Sequence, residues 1–248
     1  MRLRLFEEMT SPAIAALVES GCDLAVLPVG ATEQHGRHLP VSTDGDIATA
    51  ICRAASQRTG VPVLPTLWVG SSSAHTDKWP GTLSLPPRLL VELVIELAHW
   101  VRASGFRKLL IVNAHVGNAA PLKVAADEIR AGGELRVGLL HWYELTPEIA
   151  ADVTADADDW HAHAAETSLM LHLRPELVHR DEIRDDPDRT GALVLSYTVA
   201  ETSIDGVTGA PSRATAEEGA RLFEAVVAAL AERIEKARTE SPPPLDRR

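Results

Sequence analysis

Residues 107–142 read RKLLIVNAHVGNAAPLKVAADEIRAGGELRVGLLHW, and this stretch decides the fold. KLLIVN at Lys108–Asn113 is a short apolar run bounded by polar residues, LRVGLLH at 135–141 is a second, and residues 121–131 between them carry a helical pattern. A strand covered on both faces has no polar side to show, so it reads apolar without alternation. Two such runs joined by a helix are parallel strands with a crossover between them.

The same rhythm extends in both directions. LAVLPV at Leu24–Val29 ends at Gly30 and reads as a strand, and residues 46–56, rich in Ala and Ile, read as the helix after it. Residues 61–67 read as a further strand, and 89–103 as a helix with Gly105 as its stop. Residues 166–173 and 214–237 read as helices, the second a long C-terminal one. The pattern predicts an α/β fold with a mostly parallel sheet and helices on both faces. Functional groups in such folds gather beyond the carboxyl ends of the strands, and the polar motifs of this chain follow LAVLPV, KLLIVN and the run that ends at VGLLHW. Residues 180–213, rich in Asp, Arg, Gly and Pro, read as a long surface or site-covering segment. Residues 1–240 are expected to form one domain, with SPPPLDRR at 241–248 a disordered tail.

Composition narrows the function. With 248 residues and 45% hydrophobic content, the chain can bury a substantial core. No apolar run approaches a membrane span, and Glu7 and Glu8 interrupt what would be a signal-peptide core. Two cysteines, Cys22 and Cys52, fit buried thiols in a reducing cytoplasm. A net charge of −11 argues against nucleic acid as a partner. The chain lacks a Gly-x-Ser-x-Gly elbow, a P-loop, a Cys-x-x-Cys pair and a His-Glu-x-x-His helix. Ten histidines in a chain poor in aromatics point instead to metal chemistry.

Four constellations could carry it. Glu33-Gln34-His35 is followed nine residues later by Asp44, and Glu, His and Asp are good ligands for zinc or manganese. Glu33 and His35 are two apart, so in an extended segment they project to one side. Asn113-Ala114-His115-Val116-Gly117-Asn118 places a histidine at a strand's end, with a glycine that permits close approach. Trp160-His161-Ala162-His163-Ala164-Ala165-Glu166 sets His161 five residues before Glu166, a pair that converges if His161 lies in a loop and Glu166 in the following first turn. Either His161 or His163 could be the active one. In the fourth, Ser71-Ser72-Ser73-Ala74-His75 running to Trp79-Pro80-Gly81-Thr82, His75 could face a pocket or solvent. Taken singly, each also reads as a polar loop, a turn histidine or ordinary helix-start electrostatics.

Taken together and in order, the segments LPVGATEQHGRHLPVSTD, WPGTLSL, LLIVNAHVGN, HAAETSLMLHLRPELV and GVTGAPSRATAEEGARL resemble the creatininase (creatinine amidohydrolase) family, across residues 24–225. The resemblance implies a three-layer α/β/α domain, a divalent metal centre of one or two ions (zinc first, manganese or iron as alternatives) and a homo-oligomer, commonly a hexamer. By motif position it makes Glu33, His35, Asp44 and His115 metal ligands, with Asp44 the bridge. A second-metal glutamate of creatininase falls at Gly117 here, and Glu166 is the candidate to replace it. His161 matches a histidine near the reacting group, and Trp142 a tryptophan of the pocket, while Trp160 does not align with the second pocket tryptophan. His75, Val116, Gly117 and Trp142 are the expected substrate contacts. Val116 stands where creatininases carry a tyrosine, so the substrate expected is another small cyclic amide or formamide rather than creatinine. The alternatives are a peptidase trimming a short peptide such as the mycofactocin precursor, and a ring-opening hydrolase of a keto-inositol.

Overall fold

The computed structural model describes residues 3–75 and 78–242, so the expected tail lies outside the described residues from 243 onward. Its elements in order are α1 (Ser11–Glu19), β1 (Leu24–Val29), α2 (Thr43–Thr59), α3 (Pro87–Ala103), β2 (Lys108–Asn113), α4 (Ala119–Gly132), β3 (Arg136–His141), α5 (Pro147–Val153), α6 (Ala164–Leu173), α7 (Val199–Thr202) and α8 (Ala216–Thr239). The sheet runs β1-β2-β3, and both pairings are parallel, with Leu24 opposite Lys108 and Lys108 opposite Arg136. The crossover read from residues 107–142 is therefore β2-α4-β3.

The strands are apolar throughout because each face is covered. Val26, Leu110 and Val112 point into a core shared with α2, α5, α6 and α8. Ala25, Leu27, Leu109 and Ile111 point the other way, into a core shared with α3 and α4. This period-2 split divides the buried residues into two cores and produces the three-layer α/β/α sandwich. The long α8 starts on Thr215, whose hydroxyl accepts from the Glu218 N–H, and buries Leu222, Val226, Val227, Leu230 and Ile234. Among the described residues no helix is long and apolar enough to cross a membrane. Cys22 and Cys52 are both free thiols.

The strand expected at 61–67 is not a regular one. The segment follows the open edge of β1 through isolated parallel bridges, Val26 to Val63 and Val29 to Leu67. Pro62 and Pro65 lack the N–H a ladder needs, so only some positions pair: the Leu64 N–H donates to Val26 and the Leu67 N–H to Pro28. The segment at 180–213 is largely irregular, as expected, with short helical turns and α7 within it.

Candidate metal centre

Beyond the carboxyl end of the sheet, loop residues and the first turns of two helices converge on one point. Glu33 and His35 lie on the segment leaving β1, Asp44 in the first turn of α2, His115 just past β2 and Glu166 in the first turn of α6. All five are buried. Asp44 and Glu166 sit where the helix dipole favours a carboxylate.

Their ligand-type atoms face one another. His35 Nε2 lies 3.5 Å from Asp44 Oδ1 and 3.6 Å from Glu166 Oε1. His115 Nδ1 lies 3.4 Å from Asp44 Oδ2, and His115 Nε2 lies 3.2 Å from Glu33 Oε2. Asp44 thus belongs to two groups, His35-Asp44-Glu166 and Glu33-Asp44-His115, in each of which the ligand atoms all fall within 4.8 Å of one another. A third group of the same tightness joins His161 to Glu33 and His35.

Backbone carbonyls select the nitrogen that each central histidine presents. His35 Nδ1–H donates to the Glu33 carbonyl at 3.1 Å, and His115 Nε2–H to the Ser71 carbonyl at 3.0 Å. The lone pairs are then left on His35 Nε2 and His115 Nδ1, the two atoms that face Asp44. Glu33 Oε1 and Oε2, His35 Nε2 and Asp44 Oδ2 have no hydrogen-bond partner among the described residues. Buried acceptors at this range repel one another unless a cation or a shared proton lies between them. The convergence of four such atoms from Glu, His and Asp fits a divalent ion of the zinc, manganese or iron type.

The crowding shifts the titration of these groups. Burial, opposed by His115 and His35 but reinforced by Asp44, pushes Glu33 up to about 7. Burial works against charging His35, yet Asp44 and Glu166 carry it well above the usual histidine value. His115 is raised in the same way, with Glu33 and Asp44 outweighing burial. Glu166 is held well below the carboxylate range, because hydrogen bonds from His163 and His35 overcome burial. A divalent ion would take the place of these protons, since its ligands bind deprotonated.

A second set of residues braces the first. Asn113 accepts from the His115 N–H at 3.2 Å and donates to the His115 carbonyl at 2.8 Å. Asn118 accepts from the Ser71 N–H at 2.8 Å and donates to the Gly30 carbonyl at 2.9 Å, holding the very segment whose carbonyl fixes the His115 ring. His163, fully buried, places Nδ1 3.2 Å from Glu166 Oε2 and donates from Nε2 to the Val153 carbonyl at 2.9 Å. Of the two histidines left open by the sequence, His161 faces the cluster and His163 stands behind Glu166. Between them Ala162 takes a left-handed φ of +49°, a conformation costing on the order of 1–2 kcal/mol, as the chain turns one histidine each way. Burial, together with neighbouring His35 and His75, lowers His161 well below the usual value, and burial with His115 and His35 lowers His75 to about 3.

The cluster forms the inner end of a cavity of about 920 Å³ that opens between α3, α4 and the 180–213 segment. His75, Val116 and Gly117 line it. At Gly117 an added Cβ would sit 2.3 Å from the Ser71 carbonyl and 2.5 Å from His115 Nε2, so a glutamate has no room on this backbone. Trp142 corrects the expectation placed on it. Its side chain is fully buried in the core, stacked edge-on with Tyr143, and does not line the cavity; Trp160 does. Trp142 directly follows β3, and its side chain packs into the core that α5, α6 and α8 share. Sequence reasoning also passed over Gln34 as a functional group and the bracing Asn113 and Asn118, because their partners are set by the fold rather than by residue spacing.

Fold and cluster together define an α/β/α hydrolase with a carboxylate–histidine centre at its strand ends. The profile described as "Creatininase: Creatinine amidohydrolase" matches residues 7–234, and the chain belongs to the creatininase family, hydrolases of C–N amide bonds. It is 30% identical to the creatinine amidohydrolase of Pseudomonas putida, over 95% of this chain and 96% of that protein. It is 35% identical to the mycofactocin precursor peptide peptidase of Mycobacterium tuberculosis (strain CDC 1551 / Oshkosh), over 82% of this chain and 80% of that protein. The solved structure "Creatininase Mn" superposes with a TM-score of 0.84 at 29% identity, covering 96% of this chain and 100% of that one. A creatininase variant described as Zn-Zn type superposes at 0.83 and 28% identity, covering 97% and 100%.

Proposed function

We propose that this protein is a metal-dependent amidohydrolase that cleaves a C–N amide bond, cyclic or formyl, of a small molecule other than creatinine. The observation that carries the reading is the set of four buried, unpartnered ligand atoms converging around Asp44. Glu33, His35, Asp44, His115 and Glu166 would hold one or two divalent ions, zinc first and manganese or iron as alternatives, with Asp44 shared between the two groups. Such a centre supplies a water of lowered pKa and a Lewis acid for the substrate carbonyl.

The chain's own residues supply the rest. His161 presents Nδ1 to the cluster, 3.4 Å from Glu33 Oε1, placed to take a proton there and pass it to the leaving nitrogen. Glu166 fixes the ligand geometry at His35 and would assist that transfer. His75, Val116 and Gly117 would orient the substrate. Val116, 50% exposed on the cavity wall, offers an apolar contact in place of a hydroxyl, which disfavours the polar creatinine ring. Residues 1–240 would act as one catalytic domain, within a cytoplasmic homo-oligomer such as a hexamer.

A peptidase acting on a short tail is the second reading. The cavity of about 920 Å³ is at the upper end of what a single small ligand fills, and a close relative is named for a peptide substrate. The test is a panel of cyclic amides, formamides and short peptides, assayed with the protein stripped of metal and then reconstituted with zinc or manganese. Metal-restored turnover of a small amide above any peptide supports the proposal. Equal turnover with and without metal, or turnover of peptides alone, defeats it.

A further inference from the structure

We infer that Gln34 is a positioning residue: its side-chain amide and its backbone carbonyl together decide which nitrogen His75 and His161 turn toward the centre. The inference deepens the amidohydrolase reading, and only its kinetic arm rests on that reading. Gln34 is 3% exposed, and two backbone groups of opposite character fix which way its amide faces. The Gly36 N–H donates to Oε1 at 2.9 Å, and Nε2–H donates to the Gly206 carbonyl at 3.2 Å.

The remaining Nε2 hydrogen meets His75 Nδ1 at 2.9 Å, so that nitrogen accepts. The proton of a neutral His75 is then on Nε2, 3.3 Å from Glu33 Oε1. On the other side, His161 Nε2 lies 2.8 Å from the Gln34 backbone carbonyl and must donate to it. Its 3.1 Å approach to Gln34 Nε2 is a contact between two donors and carries no hydrogen bond. His161 Nδ1 is left with its lone pair, 3.4 Å from the same Glu33 oxygen. Two rings lying 4.4 Å apart thus offer opposite atoms to one carboxylate, an N–H from His75 and a lone pair from His161.

The backbone around Gln34 is shaped to seat this amide. Gly206 has a φ of +76°, and a Cβ there would fall 2.1 Å from Gln34 Oε1, so the 203–209 turn approaches the amide as only glycine allows. Through Gln34 that turn is coupled to His75 and His161, both remote from it in sequence.

The test is the tautomer of each ring, read from long-range ¹H–¹⁵N spectra of the full chain, zinc-loaded and zinc-free. Wild type is expected to show Nε2–H for both His75 and His161. In Gln34→Glu the side chain can still accept from Gly36 but has no hydrogen for His75, so His75 should switch to Nδ1–H while His161, held by the backbone carbonyl, stays Nε2–H. Bound zinc per chain should not change. With a small amide substrate, kcat should fall by roughly 10–100-fold with KM within about threefold, the size of loss usual for residues that orient the groups at a metal site. Gln34→Met, which removes the amide without adding charge, should leave His75 a mixture of tautomers. His75 keeping Nε2–H in both variants, or showing Nδ1–H in wild type, overturns the inference. So does a loss of activity that merely tracks a loss of zinc. If wild type hydrolyses no amide at all, the amidohydrolase reading fails, and the tautomers still decide the role of Gln34.

Discussion

The two ends of the cavity are built differently. At the inner end Glu33, Asp44, His115 and Glu166 are all buried, and groups behind them hold the His115 ring and the Glu166 carboxylate. At the outer end Val116, Val124 and Tyr197 are about half exposed, and Glu92, Glu128 and Asp158 make no ion pair among the described residues. The inner groups ride on strand ends and helix first turns, which the sheet holds rigidly; the outer ones sit on the exposed sides of α3 and α4, on the turn after β2, on the loop before α6 and on the irregular 180–213 segment. A braced centre with an unbraced vestibule keeps its chemistry while its substrate changes, which accords with relatives named for creatinine and for a peptide.

Removing the shared ligand should break the inner end outright. Asp44→Ala takes the partner of both His35 and His115, so metal content should collapse and turnover fall by ~10³-fold or more, the several kcal/mol that a metal centre supplies. Metal analysis beside the assay checks it, and retained metal with retained activity would contradict the role of Asp44. The brace should count next. His163→Ala leaves Glu166 without its hydrogen bond and should weaken metal affinity by roughly 10–100-fold, read by chelator competition. Affinity equal to wild type would mean that Glu166 is held by α6 alone.

The effect of pH is smaller and has a definite sign. Glu33, raised from 4.5 to about 7 in the fold, contributes stability to the metal-free protein that is full below 4.5 and lost as pH rises toward 7. His35 and His115, also raised, act in the same direction at higher pH, while Glu166, depressed, acts oppositely at low pH. A metal ion must displace the Glu33 proton, and those that His35 and His115 carry, so affinity should fall by at least about tenfold per unit as pH drops below 7. A dissociation constant flat from pH 8 to 6 would place the proton elsewhere. The smallest change belongs to the vestibule. Tyr197→Ala should shift KM and the ranking of substrates while kcat holds and stability stays within about 0.5 kcal/mol, as for an exposed side chain. A large drop in kcat would show that the outer wall is part of the chemistry.

What the sequence made legible follows the same division. β2-α4-β3 could be read because buried parallel strands are apolar on both faces, and the cluster because Glu33, His35, Asp44, His115 and Glu166 each stand at a strand end or helix start. The 61–67 edge escaped because Pro62 and Pro65 break its ladder while leaving its apolar composition intact. Trp142 was expected in the pocket and lies in the core, while Trp160, which aligned with no pocket tryptophan, lines the cavity; which tryptophan turns inward depends on tertiary packing, not on either residue. Gln34 and His163 were hidden for a related reason. Gln34 meets Gly206, 172 residues on, and His163 meets Val153 at the end of α5, contacts that no local spacing announces, and a glutamine or histidine looks the same whether it faces solvent or a metal ligand.

The central claim is that the divalent ion sits against Asp44. Anomalous diffraction from crystals loaded with zinc or manganese tests it most directly. The account predicts strong peaks within the cluster, between Asp44 and the His35-Glu166 pair and between Asp44 and the Glu33-His115 pair. Full activity in crystals or solution with no anomalous peak at Asp44 would contradict it.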